Sequence, residues 1–178
     1  KIHHSLSQSL NILGSQLIVT CCIGVVFFPS DADSPEQLFK LADTALYQAK
    51  QGGRNQVEFI TPAIAENANR RMILLSALNF ALALDEFVLL VQPQFNQTNR
   101  LISAEVLLRW ESNGRTMAYP DEFIPLAEES GTIIPIGLWI IRTICQHLKS
   151  WMDDNLMETA QYLAINISPK QFIQPDFV

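Results

Sequence analysis

Strands that alternate with helices along the chain predict a mixed α/β protein, and three kinds of observation carry that prediction. Apolar runs rich in β-branched residues read as strands, apolar residues at helical spacing read as helices, and Gly, Pro, Asn and Asp clusters punctuate them. The 178 residues, 48% of them hydrophobic, leave room for one ordinary domain or parts of two.

Residues 17–28 (LIVTCCIGVVFF) form the first such run, and Pro29 with the polar turn 30–33 ends it, which predicts a buried strand. Ser34, Pro35 and Gln37 then supply an N-cap, a proline at the first helical position and the glutamine of a capping box. Leu38, Leu41, Ala42, Ala45, Leu46 and Ala49 repeat at helical spacing until Gly52 and Gly53, and a short strand over 56–60 follows. Pro62 opens a second helix running to about Leu84, polar at first and apolar later. Runs at 87–92 and 101–110, separated by Asn96, Gln97, Thr98 and Asn99, predict a hairpin. Helices are expected from Pro120 to about Glu129, closed by Gly131, and over 136–152, with a last strand over 162–167.

Composition narrows the functional classes. The 18 acidic and 12 basic residues are spread without blocks, so no basic stripe offers itself to a nucleic-acid polymer. The longest apolar stretch is shorter than the ~20 residues a spanning helix needs, and nothing near Lys1 resembles a signal peptide, so no membrane contact is expected from this segment. Three cysteines without CxxC spacing suggest neither zinc nor a disulfide framework and suit a reducing cytoplasm.

Two stretches resemble known family signatures. VTCCIGVVFFP followed by LFKLADTALYQAKQGGRN resembles the closing third of the GGDEF domain family. VQPQ, SAEVLLRW, PDEFIPLAEESGTI and AINISPKQF, in that order, resemble the opening portion of the EAL domain family. The resemblance implies the C-terminal part of a GGDEF domain (nucleotidyl-cyclase-like, α+β) over 1–61, a linker and docking helix over 62–84, and the first strands and helices of an EAL domain over 85–178. EAL domains are modified (β/α)8 barrels, and such barrels take ~250 residues. Both domains are therefore expected to be incomplete here.

The same resemblance implies a ligand and a chemistry. EAL domains use metal ions, Mg2+ or Mn2+, to activate the water that opens cyclic di-GMP to pGpG. Alternation in a strand puts Ser103, Glu105, Leu107 and Arg109 on one face and Ala104, Val106, Leu108 and Trp110 on the other. Family likeness then implies Glu105 and Asn166 as catalytic metal ligands and Gln92, Leu107 and Arg109 as substrate contacts, with Arg109 a fork for phosphate. Glu128, in the PLAE stretch, suits either a site role or a structural hydrogen bond. Lys50 and Arg54, at a helix end and the turn after it, are where the GGDEF likeness places the phosphates of a nucleotide such as GTP. The likeness also implies a homodimer in the parent protein.

Without the family, the same residues have plainer readings: a strand ion pair between Glu105 and Arg109, a turn asparagine before Pro169, and solvated charges at Lys50 and Arg54. With only Glu105 and Asn166 as protein ligands, the chain alone is expected to be inactive. A module that senses cyclic di-GMP or GTP, or binds a partner without catalysis, is the alternative function, and a truncated or partial sequence with no function of its own is a third. Departures from the pattern include Val106 for an alanine, Cys22 for a serine, Val91 for a tyrosine, and an unusually apolar stretch over 72–82.

Overall fold

The first apolar run makes a far shorter strand than its composition predicts. In the computed structural model, which describes residues 9–154, 162–175 and 177, strand β1 (Leu10–Ile12) pairs antiparallel with β2 (Ser15–Leu17), and β3 is only Ile23–Val25. The expected strand over 17–28 is thus corrected to three residues, with Leu17 in a separate hairpin. The reason is pairing: β3 runs parallel to β4 (Val57–Phe59) from Ile23↔Val57 to Val25↔Phe59, and a strand extends only where a partner lies beside it.

Two compact units divide the chain, residues 1–71 and 72–178. In the first, helix α1 (Pro35–Gln51) connects β3 to β4 in a strand, helix, strand order. Ser34 caps it, accepting from the backbone N of Gln37 at 3.2 Å. The expected capping box closes differently, because the Gln37 side chain accepts from the backbone N of Asp33 at 3.0 Å. Ala45 and Ala49 are buried, and Gly24 brings β3 so close to α1 that a Cβ there would meet the Ala42 carbonyl and the Leu46 amide.

Helix α2 (Pro62–Ala81) contains the division between the units. It ends at Ala81, before the expected Leu84, where the chain turns with Asp85 in the left-handed region at φ 52°. Its later half buries Leu74, Leu78 and Ala81 at helical spacing in the core of the second unit.

That second unit is built on β6 (Leu101–Ser112), which pairs antiparallel with β5 (Phe87–Phe95) from Phe87↔Trp110 to Phe95↔Leu101. The opposite edge of β6 is shared. Strand β8 (Tyr162–Ile165) pairs parallel with Ser103–Val106, and β7 (Arg115–Ala118) pairs antiparallel with Trp110–Ser112. Strand β7 is absent from the sequence-based expectation, although Asn113 and Gly114, at φ 52° and 72°, are the Asn-Gly pair that marks a tight hairpin.

Helices α3 (Pro120–Ser130) and α4 (Ile133–Asp153) cover one face of this sheet. Gly131, left-handed at φ 82°, ends α3 as expected, and α4 starts three residues before its expected first residue, Ile136. Ile133, Ile136, Ile140 and Ile144 form the buried stripe of α4. They pack with Val106, Leu108, Phe123 and Trp110, whose ring lies 5.6 Å from that of Phe123 and 6.0 Å from that of Phe87. Each such fully buried side chain stabilises the fold by about 1.5–3 kcal/mol. Val106, where the family has alanine, belongs to this core and not to the other face.

Candidate active site

The face of the sheet turned away from this core carries the polar residues. Register sets Gln92 opposite Glu105, Leu90 opposite Leu107 and Val88 opposite Arg109, and on the other edge Glu105 is opposite Ala164. Directly opposed residues project to the same face, so Gln92, Glu105 and Ala164 form one row across three strands. In the neighbouring row, Ser103 Oγ donates to Gln94 Oε1 at 2.6 Å, which satisfies a fully buried hydroxyl.

Strand β8 ends at Ile165, and Asn166 follows one step beyond it with the same facing as Ala164. There its Nδ2 donates to Glu105 Oε1 at 2.7 Å. Among the described residues, Glu105 and Arg109 form no ion pair. Arg109 Nη1 donates instead to the Leu108 carbonyl at 2.8 Å. Glu105, Leu107 and Arg109 are half-buried, while Gln92 and Asn166 are exposed.

A gap in the strand pairing opens beside them. Strand β8 stops pairing with β6 at Val106 and β7 begins at Trp110, so among the described residues no strand covers Leu107–Arg109 on that edge. A cavity of about 270 Å3 lies there, lined by Leu107, Arg109, Ile140, Glu128, Asn166 and Ser168 among others. It sits just past the C-terminal end of β8, beside the part of β6 that runs on alone from Leu107 to Arg109.

The backbone after Asn166 is fastened by Ser168, which lies in the AINISPKQF stretch and whose partner is distant in sequence. Ser168 Oγ donates to Glu128 Oε1 at 2.6 Å and accepts from the Lys170 backbone N at 3.3 Å, while Ser168 N donates to Gln171 Oε1 at 3.0 Å. This is a complete capping box on the short helix α5 (Pro169–Phe172). Its signal was present, because Ser168-Pro169-Lys170-Gln171 repeats the spacing of Ser34-Pro35-Glu36-Gln37. Gly137 of α4 leaves room for it, since a Cβ at that position would collide with the Gln171 amide.

Glu105 and Asn166 are suited to a hard cation. A carboxylate oxygen and an amide oxygen are the donors that Mg2+, Ca2+ and Mn2+ take, and the hydrogen bond uses only one Glu105 oxygen and the Asn166 nitrogen. The pair supplies part of a coordination shell: among the described residues no group of three His, Cys, Asp or Glu side chains is placed to hold a metal ion. In the first unit, Lys50 lies exposed in the last turn of α1, and Arg54 follows Gly53 in the left-handed region at φ 61°. No single helix among the described residues is long and apolar enough to cross a membrane.

Both parts of the chain are similar to known proteins. The EAL domain model matches residues 75–178, and the model for "Diguanylate cyclase, GGDEF domain" matches residues 1–56. The chain is 32% identical over 179 residues to the bifunctional diguanylate cyclase/cyclic di-GMP phosphodiesterase MucR of Pseudomonas aeruginosa, covering 100% of this chain and 26% of that relative. It is 33% identical over 156 residues to the cyclic di-GMP phosphodiesterase PdeR of Escherichia coli, covering 88% of this chain and 23% of the relative. The chain thus spans about a quarter of the length of these relatives. Among solved structures, the PaMucR phosphodiesterase in its c-di-GMP complex aligns with a TM-score of 0.54 and 33% identity, over 59% of this chain and 42% of that one.

Proposed function

Because the chain belongs to the EAL domain family, with a GGDEF-type segment ahead of it, we propose that the full-length protein binds cyclic di-GMP and hydrolyses it to pGpG. The observation that carries this reading is the 2.7 Å hydrogen bond from Asn166 to Glu105, which joins two oxygen-bearing side chains from distant parts of the chain. The c-di-GMP complex of the similar PaMucR structure supports the ligand class.

In this mechanism Glu105 and Asn166 would hold a divalent cation, Mg2+ or Mn2+, together with further ligands of the full-length protein. Bound there, such a cation would supply an activated water and charge neutralisation on the transferring phosphoryl group. Arg109, at the cavity wall, places its planar guanidinium against a phosphate oxygen, which fixes the phosphodiester for in-line attack. Leu107 offers an apolar contact to the ligand, and Gln92, in the row of Glu105, offers amide hydrogen bonds to it. Lys50 and Arg54 are assigned to the phosphates of GTP at the GGDEF-type segment, and the full-length protein to a homodimer.

A second reading is a module that binds cyclic di-GMP without cleaving it. Chromatography of cyclic di-GMP incubated with the full-length protein and Mg2+ or Mn2+ separates the two. Hydrolysis predicts pGpG, with turnover lowered on the order of 100-fold or more in Glu105→Gln. Tight binding without pGpG would establish the sensor, and neither binding nor pGpG would remove both readings.

A further inference from the structure

The Glu105–Asn166 pair depends on a piece of backbone that no strand holds. Asn166 lies past the last β6–β8 pair, Val106↔Ile165, so the sheet fixes only the residue before it. On its far side the first anchored residue is Ser168, just 9% exposed and hydrogen-bonded through its hydroxyl to Glu128 at 2.6 Å. Asn166 and Ile167 are therefore suspended between a strand end and a side-chain tie.

Glu128 is a firm anchor. It stands on α3 directly after Leu126 and Ala127, which are buried in the core at 4% and 0% exposure. Its backbone carbonyl accepts from Gly131 N at 3.2 Å, at the left-handed end of the helix. A carboxylate acceptor also makes the stronger kind of hydrogen bond to a hydroxyl. Ser168 is held on its other side by the Lys170 and Gln171 bonds of the capping box, so its hydroxyl has a fixed direction.

We infer that Glu128 is a positioning residue for the metal pair: by binding the Ser168 hydroxyl it sets the 166–168 backbone so that Asn166 meets Glu105. Glu128 need not touch metal or substrate for this role. It acts through Ser168, from a different helix, across 40 positions of the chain. The inference rests on the metal-site reading of Glu105 and Asn166 and adds a third element to it. Side chains that orient a metal's ligands typically matter about 10- to 100-fold in metal affinity.

Titration of the full-length protein with Mn2+, followed by the paramagnetic resonance signal of the free ion, tests it without reference to turnover. Glu128→Met keeps length and helix preference but removes the acceptor, and Ser168→Ala removes the donor. Each is expected to weaken Mn2+ binding about tenfold, with the double variant no weaker than the singles. Glu128→Gln retains an acceptor oxygen and is expected to stay within about twofold of the parent. A merely structural contribution would lower the melting temperature and leave the Mn2+ midpoint in place.

Unchanged Mn2+ affinity in Glu128→Met and Ser168→Ala, alongside weakened binding in Asn166→Ala and Glu105→Gln, overturns the positioning role alone. Unchanged affinity in all four removes the metal site and this inference with it. If Glu128→Met is not folded at the assay temperature, Ser168→Ala, which deletes one oxygen, decides the question.

Discussion

Asn166 Nδ2 and Glu105 Oε1 meet at 2.7 Å although 61 positions separate the two residues. The parallel register makes this possible: Glu105 faces Ala164, and Asn166 shares the facing of Ala164 two residues on. A slip of one residue between β6 and β8 would turn Asn166 to the core side and bring Ile165 to Glu105. That slip is opposed by Leu163 and Ile165, which pack against the core and hold the strand's facing.

Arg109 lines the cavity with part of its guanidinium engaged by the Leu108 carbonyl. In the full-length protein, Arg109→Lys is expected to raise KM for cyclic di-GMP about tenfold, because an ammonium is a point charge and cannot present two parallel N–H groups to a phosphate. Steady-state kinetics checks this, and equal KM values for parent and variant would contradict the phosphate role. Since Arg109 is only half-buried, the melting temperature should change little.

Trp110 is fully buried, and its indole N–H donates to Glu86 Oε2 at 3.0 Å. Trp110→Phe keeps much of the aromatic packing but leaves the half-buried Glu86 carboxylate without that donor. The expected loss is about 1–3 kcal/mol, read as a shift of the urea midpoint of the EAL-type unit. Trp110→Ala should cost about 3–5 kcal/mol, because it also opens a cavity between Phe87 and Phe123.

Gly24 is required by the close approach of β3 to α1. A Cβ in Gly24→Ala would run into the Ala42 carbonyl and Leu46 amide, which are helix backbone and cannot swing aside as a side chain can. Destabilisation of about 1–3 kcal/mol is expected, confined to the GGDEF-type unit. Thermal unfolding followed on that unit should show it, and a melting curve identical to the parent's would contradict the packing argument.

Much of this protein is local and therefore legible without coordinates. Ser34 and Pro35 start α1, Gly131 stops α3, and the polar turn at 96–99 joins two strands that do pair, because caps and turns depend on residues a few positions apart. Alternation along β6 likewise divides Glu105, Leu107 and Arg109 from Val106, Leu108 and Trp110 before any fold is known. The family signatures lie in these same local stretches.

What the tertiary structure alone decided is what depends on partners distant in sequence. Residues 17–28 have the composition of one long strand, yet β3 has three residues because β4 lies alongside only Ile23–Val25. Two Ser-Pro-x-Gln stretches look alike, yet Gln171 returns to Ser168 while Gln37 reaches Asp33. Asn166 gains Glu105, and Ser168 gains Glu128, only when β6, β8 and α3 pack together. Periodicity along one segment determines which way a side chain faces. Which group it meets there is set by the register and packing of segments far apart in the chain.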